Sequence, residues 1–205
     1  MKLQEIEFSA EELLKQLDPQ GRLDLYCDTL KAENQKINLV SRETIESGLD
    51  TLIAESLLPL QVLGRLQINN YLDIGSGGGL PALPILLTAE IGRAVLVERT
   101  GKKAQALRRI LRQAELPDDR IEIINSTVED VTLEPEFDLI TMRLVKLTPK
   151  LLKKITGFLA PDGVFVYYSK VETISLPETI TALTYCYQSP NGATPKYFTL
   201  LGKIK

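Results

Sequence analysis

The apolar residues of this chain follow two patterns that exchange near Asn69-Asn70. Before that point the pattern is helical. Ser9 is placed to cap a helix with Glu12 three residues on, and Leu13, Leu14 and Leu17 recur on one face. Asp18-Pro19-Gln20-Gly21 interrupts the run. A second apolar-periodic run goes from Leu23 to Leu30 and continues toward Asn34, and a third covers residues 49–63. Beyond Asn70, short apolar runs alternate with helical segments, which is the mark of βαβ units and a parallel sheet. Strands are expected at 71–74, 94–98, 121–125, 137–142, 163–168, 184–188 and 197–202, and helices at 83–89, 102–114, 150–159 and, more weakly patterned, 177–183. A loop replaces a long helix between the last two strands, so the sheet should be parallel until a final, reversed strand. The expected organisation is a helical cap over residues 1–67 and a Rossmann-like α/β domain over 68–205, packed as one globular unit.

Composition narrows what such a domain does. At 205 residues, 44% apolar and 25% charged, the chain is that of an ordinary globular protein with one substantial core. Cys27 and Cys186 lie far apart, without the spacing of a metal knuckle or redox motif, and read as buried small hydrophobes. Acids in the first residues replace the apolar core of a signal peptide, and no stretch reaches membrane-spanning length, so a cytoplasmic protein with no membrane partner is expected. A net charge of −3 offers no global attraction to a polyanion, so a nucleic acid would have to meet a local basic face. There is no histidine, which excludes histidine triads, imidazole acid–base chemistry and histidine-ligated metals; no metal is expected.

The candidate chemistry sits at strand ends. Asp73-Ile74-Gly75-Ser76-Gly77-Gly78-Gly79 follows an apolar strand and precedes Leu80-Pro81 and a helical run. Glycines there let a ligand approach the backbone at the carboxyl edge of the sheet. A dinucleotide fingerprint needs glycine at position 80, where Leu80 stands, so the pattern is D-x-G-x-G-x-G. Glu98 ends the second strand of this region, about twenty residues on, where a carboxylate can accept from both hydroxyls of a ribose. Val128-Glu129-Asp130 follows the third strand, and an acid there can accept from an exocyclic amine. The fourth delivers Arg143, which can bind a carboxylate or a phosphate in bidentate fashion. Lys102, Lys103, Arg108, Arg109 and Arg112, with Lys150, Lys153 and Lys154, form either a phosphate-binding rim or solvated helix faces.

With these residues in place the chain resembles the glucose-inhibited division protein B family, also called RsmG, S-adenosylmethionine-dependent methyltransferases that act on guanine N7 of small-subunit ribosomal RNA. The resemblance is carried by Asn34-Gln35-Lys36-Ile37-Asn38-Leu39, Glu55-Ser56-Leu57, Asp73 through Pro81 with Pro84-Ile85, Glu98 with Lys102-Lys103, Val128-Glu129, Phe137-Asp138 with Arg143, and the closing Pro195-Lys196-Tyr197-Phe198-Thr199. It implies the seven-stranded methyltransferase sheet and S-adenosylmethionine as cofactor, bound by Asp73, Gly75, Gly77, Gly79, Leu80, Glu98, Val128, Glu129 and Arg143. Arg143 would also act at the target guanosine, with Asn34, Asn38, Lys103 and Lys170 toward the RNA. Ribosomal RNA or the small subunit is the implied partner, and a monomer the default form. The chain departs from the family at Glu33, usually tryptophan, at Leu52, usually histidine, and at Ala82, Leu144 and Val171.

Guanine N7 carries an exposed lone pair and attacks a methyl donor without first losing a proton. The missing histidines therefore fit, and catalysis reduces to alignment and electrostatic tolerance of a developing cation. Two other readings stay open on the sequence: the same domain methylating a small molecule or a protein, and an inactive RNA-binding relative.

Overall fold

Period-two alternation along the central strands sorts their side chains onto two faces, and each face is covered by helices. The computed structural model describes residues 2–203 except 65, 118, 135, 172, 173, 191 and 193. Its strands are β1 (Lys2–Glu5), β2 (Ile68–Ile74), β3 (Ile91–Val97), β4 (Ile121–Ile124), β5 (Phe137–Met142), β6 (Leu159–Tyr167), β7 (Ile180–Tyr187) and β8 (Lys196–Lys203). They form one sheet in the order β1-β7-β8-β6-β5-β2-β3-β4. All pairings are parallel except those of β8, which runs antiparallel to both β6 and β7.

Tyr71, Leu96 and Leu139 face one side, where they meet α1 (Ala10–Leu17), α2 (Arg22–Asn34), α3 (Leu49–Leu63), α4 (Ala82–Thr88) and α5 (Gly101–Gln113). Leu72, Val95, Ile140 and Met142 face the other, against α6 (Pro149–Phe158). The helix starts follow from local chemistry. Ser9 Oγ accepts the Glu12 amide at 3.3 Å, and both oxygens of Asp18 accept from Arg22 and Leu23 at 2.9 Å. Thr148 Oγ1 accepts from Leu151 at the head of α6, where Pro149 occupies the first turn.

Two expectations are corrected. The stretch 177–183 is not a helix: Ile180 opens β7, which starts four residues earlier than expected, and Ile180, Thr181, Thr184, Tyr185 and Tyr187 are β-branched or aromatic residues suited to a pleated surface. The N-terminal region also supplies a strand, since Lys2 to Glu5 pair in parallel with Leu183 to Cys186 and bring the sheet to eight strands. Four residues of mixed polarity carry too little periodicity to be read in advance.

The register places the site. Ile74 pairs with Val97 and Met142, Val97 with Ile124, and Met142 with Tyr167. Residues immediately beyond these, Gly75, Glu98, Asn125, Arg143 and Tyr168, therefore gather at one edge of the sheet.

Candidate active site

A cavity of about 930 Å³ opens at that edge, near the upper end of the range for small-molecule and cofactor sites. Its floor is the glycine loop. Gly75 and Ser76 donate to the Val97 carbonyl at 2.8 and 3.2 Å, and the buried Tyr26 hydroxyl of α2 donates to the Gly78 carbonyl at 3.0 Å, so the loop is held from two sides. Gly75 has φ +77°, and a Cβ there would meet Val145 Cγ2 at 2.6 Å. The close approach of backbone and loop requires glycine at this point.

Glu98 is almost fully buried, and its carboxylate orders the loop. Oε2 accepts from the Gly77 amide at 2.9 Å and Oε1 from Thr100 at 2.7 Å. Each oxygen keeps a second lone pair for a ligand. Behind the loop, Asp73 is wholly buried. Thr141 Oγ1 donates to its Oδ1 at 2.5 Å and in turn accepts from Tyr71, while Oδ2 has no partner. Burial pushes the Asp73 carboxyl up to about 6 against the hydrogen bonds from Thr141 and Ser76. Asp73 does not line the cavity, so its carboxylate acts on the loop from behind.

Arg143 is the most constrained cation of the site, with its side chain 13% exposed. Nη1 donates to Ser56 Oγ at 3.0 Å and to the Leu52 carbonyl at 3.3 Å, and Nη2 donates to Glu55 Oε2 at 3.1 Å. Its guanidinium carbon stands 5.5 Å from the centre of the Tyr168 ring, whose hydroxyl donates to the Ser56 carbonyl at 2.5 Å. Glu55, wholly buried on α3, also takes Lys196 Nζ on Oε1 at 2.5 Å. Three of the five guanidinium N–H groups are thus engaged, which leaves Nε–H and one Nη2–H.

Of the residues singled out in the sequence, Gly75, Gly77, Leu80, Glu98, Val128 and Glu129 line the cavity, as do Arg143, Asn38 and Lys103. Asp73 and Gly79 lie behind the loop rather than on its surface. Asn34 serves the chain itself: its Oδ1 accepts from Leu39 at 2.8 Å and Val40 at 3.0 Å, holding the segment that carries Asn38 to the cavity. Lys170 does not line the cavity, and its ammonium lies 3.8 Å from the centre of the Tyr197 ring. The helical cations, which the sequence leaves as either a phosphate-binding rim or solvated helix faces, do not gather at the cavity as a set. Of the eight helical cations only Lys103 lines the cavity. Arg109 pairs with the buried Glu33 at 2.7 Å, Arg108 donates to the Ile123 carbonyl and Lys154 to that of Glu129. Arg99 and Lys146 line the mouth in their place, each on a strand-end loop rather than in a run of charge. Among the described residues no group of three or more His, Cys, Asp or Glu is placed to hold a metal, and no helix is long and apolar enough to cross a membrane.

A parallel sheet with one reversed strand inserted beside its end, a glycine cradle at the carboxyl edge and an acid at the next strand tip define the Rossmann-like methyltransferases. The O-methyltransferase from Bacillus cereus, solved in complex with SAH, superposes with a TM-score of 0.67 at 18% identity, over 95% of this chain and 96% of that one. An rRNA methylase from Streptococcus thermophilus gives 0.52 at 18% identity, over 67% of this chain and 87% of that one. These likenesses establish the fold. The family model described as GidB, rRNA small subunit methyltransferase G, matches residues 20–189. Ribosomal RNA small subunit methyltransferase G of Helicobacter pylori strain J99 is 35% identical over 143 residues, 70% of this chain and 78% of that protein. Its counterpart in Polynucleobacter asymbioticus is 31% identical over 160 residues, 75% and 71% respectively. The chain belongs to the GidB family of S-adenosylmethionine-dependent methyltransferases.

Proposed function

We propose that this protein methylates N7 of a guanosine in 16S ribosomal RNA, acting as a cytoplasmic monomer on RNA or the small subunit. The observation that carries the reading is the cavity itself, with a nucleoside-binding floor at Glu98 and the glycine loop and cations at its mouth. Arg99, Lys103 and Lys146 line it and make no ion pair among the described residues, so they are available to phosphates on a chain of net charge −3.

When bound, S-adenosylmethionine supplies an electrophilic methyl group. The residues around it bind and orient. Glu98 accepts from the ribose hydroxyls while keeping its bonds to Gly77 and Thr100. Val128 and the exposed Glu129, which line the cavity, would hold the adenine by packing and by accepting from its amine. Asp73, behind the loop, supports it from below through Thr141 and Ser76. Arg143 has two N–H groups left with which it would bind the methionine carboxylate and orient the target base. The absence of histidine is consistent with a nucleophile that needs no base.

Mass spectrometry of small-subunit RNA from a deletion strain tests this reading. Loss of one 7-methylguanosine, restored by the wild-type gene but not by Glu98→Ala, is the expected result; an unchanged methylation pattern rejects the substrate.

A further inference from the structure

Leu144 directly follows Arg143 off the end of β5 and is 98% exposed, while most leucines of the chain lie in the two core clusters. Its backbone has φ +59°. A left-handed conformation costs a residue bearing a Cβ about 1 kcal/mol, and an apolar side chain in water gains nothing to offset it. Both neighbours fix the turn. Arg143 is bonded to α3 and Val145 closes over Gly75, so the chain between them has little freedom to fold Leu144 inward.

The position of this residue gives the strain a use. Leu144 lines the mouth of the cavity, as do Arg99, Lys103 and Lys146. No aromatic residue lines that cavity among the described residues, so the stacking surface usual for an unstacked base is missing. A guanosine entering the cavity must leave its stack, at a cost of a few kcal/mol. Proteins that part stacked bases commonly insert a leucine, isoleucine, phenylalanine or methionine into the gap.

We infer that Leu144 is an apolar wedge that enters the RNA stack at the place vacated by the target guanosine. The inference rests on the RNA reading given above. The left-handed turn holds the side chain out in solvent, and the three cations fix the phosphates on either side. Apolar surface exposed in the free protein is then buried against nucleobases only when the target base is extruded, which couples extrusion to binding.

The test compares wild type, Leu144→Ala and Leu144→Gly. Methylation is measured on unmethylated small-subunit RNA, and on the same RNA with abasic sites flanking the guanosine located by mass spectrometry. Cofactor-product affinity is followed by calorimetry and stability by thermal melting. Both variants should lose about tenfold or more in kcat/KM on intact RNA, equivalent to 1.4 kcal/mol. They should bind S-adenosylhomocysteine as wild type does. On the abasic RNA, where no stack needs parting, the defect should shrink to less than about threefold. Leu144→Gly, relieved of its backbone strain, should melt no lower than wild type.

Wild-type kcat/KM in both variants overturns the wedge, as does an equal defect on the two RNAs, which would mean a contact with the target base itself. A lowered melting temperature together with weakened cofactor-product affinity also overturns it, by making Leu144 structural. In each of these cases wild type still methylates RNA and the proposed function stands. Wild type that transfers no methyl group to either RNA overturns both.

Discussion

Arg143 of the sheet edge and Glu55 of α3 meet at 3.1 Å, so a cation exposed to the cavity is pinned by a carboxylate that is wholly buried in a helix preceding the domain's first central strand. Glu55 serves Lys196 with its other oxygen at 2.5 Å, which makes it the shared counter-charge of two cations. Removing the shared member takes the counter-charge from both cations at once and leaves Arg143, only 13% exposed, unpaired, whereas removing either cation leaves Glu55 one partner. Glu55→Ala should lower stability in chemical denaturation by about 3 kcal/mol. Arg143→Ala leaves Glu55 paired with Lys196 and should cost less in stability, yet reduce methyl transfer far more. Equal stability losses in the two variants would contradict the shared role.

Glu98 separates two contributions to cofactor binding. Its carboxylate both orders the loop through Gly77 and Thr100 and keeps lone pairs for a ribose. Glu98→Ala should weaken S-adenosylmethionine binding by about a hundredfold, two hydrogen bonds to a charged group being worth roughly 3 kcal/mol together. Glu98→Gln, which retains one acceptor, should fall between. Isothermal titration decides the order, and unchanged affinity in Glu98→Ala would remove Glu98 from the site.

Asp73 makes stability fall as pH rises. Its folded-state carboxyl is raised from 3.8 to about 6 by burial, so the folded protein holds a proton that the unfolded chain has released. The contribution is fully present below the lower value and lost as pH rises through about 6. Relative to Asp73→Asn, the wild type should lose about 1 kcal/mol, or roughly 3 °C in melting temperature, between pH 5 and 7. Parallel melting curves for the two proteins across that interval would contradict the assignment.

Gly75 and Val145 test the packing of the loop. Gly75→Ala adds a Cβ at 2.6 Å from Val145 Cγ2 on a backbone of φ +77°. The clash and the strain are separable: Val145→Ala in the same chain should restore part of the lost thermal stability, but not the share due to the backbone, on the order of 1 kcal/mol. Complete restoration would show that the positive φ carries no cost.

Much of this was legible in the sequence because the local signals and the tertiary structure agree. Period-two runs located β5 without error, and the glycine loop, Glu98 and Arg143 lie at strand ends that the register brings to one edge. What was not legible depends on contacts between distant segments. The resemblance places Asn34 toward RNA, and what the sequence does not show is that its side-chain amide oxygen holds the turn beneath Asn38. Five basic residues on α5 left a rim and a solvated face both open, because a charge run does not say which side of a helix meets a neighbour; Lys103 lines the cavity, and Arg109 pairs with a carboxylate buried on α2. Arg99 and Lys146 left no signal, being single cations that join the site only when the sheet forms. β7 was misplaced because Pro177 and a polar stretch before it imitate a helix start, while the pairing partner that decides the matter is the reversed β8.

The short strand β1 has a consequence for how molecules of this protein meet one another. Without it, the eight residues of β7 would present an open row of amides and carbonyls at the end of the sheet, a template for edge-to-edge association. β1 covers half of that row and replaces it with a border only four residues long. A border this short is a poor seed for joining sheets, so β1 acts as a guard against self-assembly as well as a part of the fold.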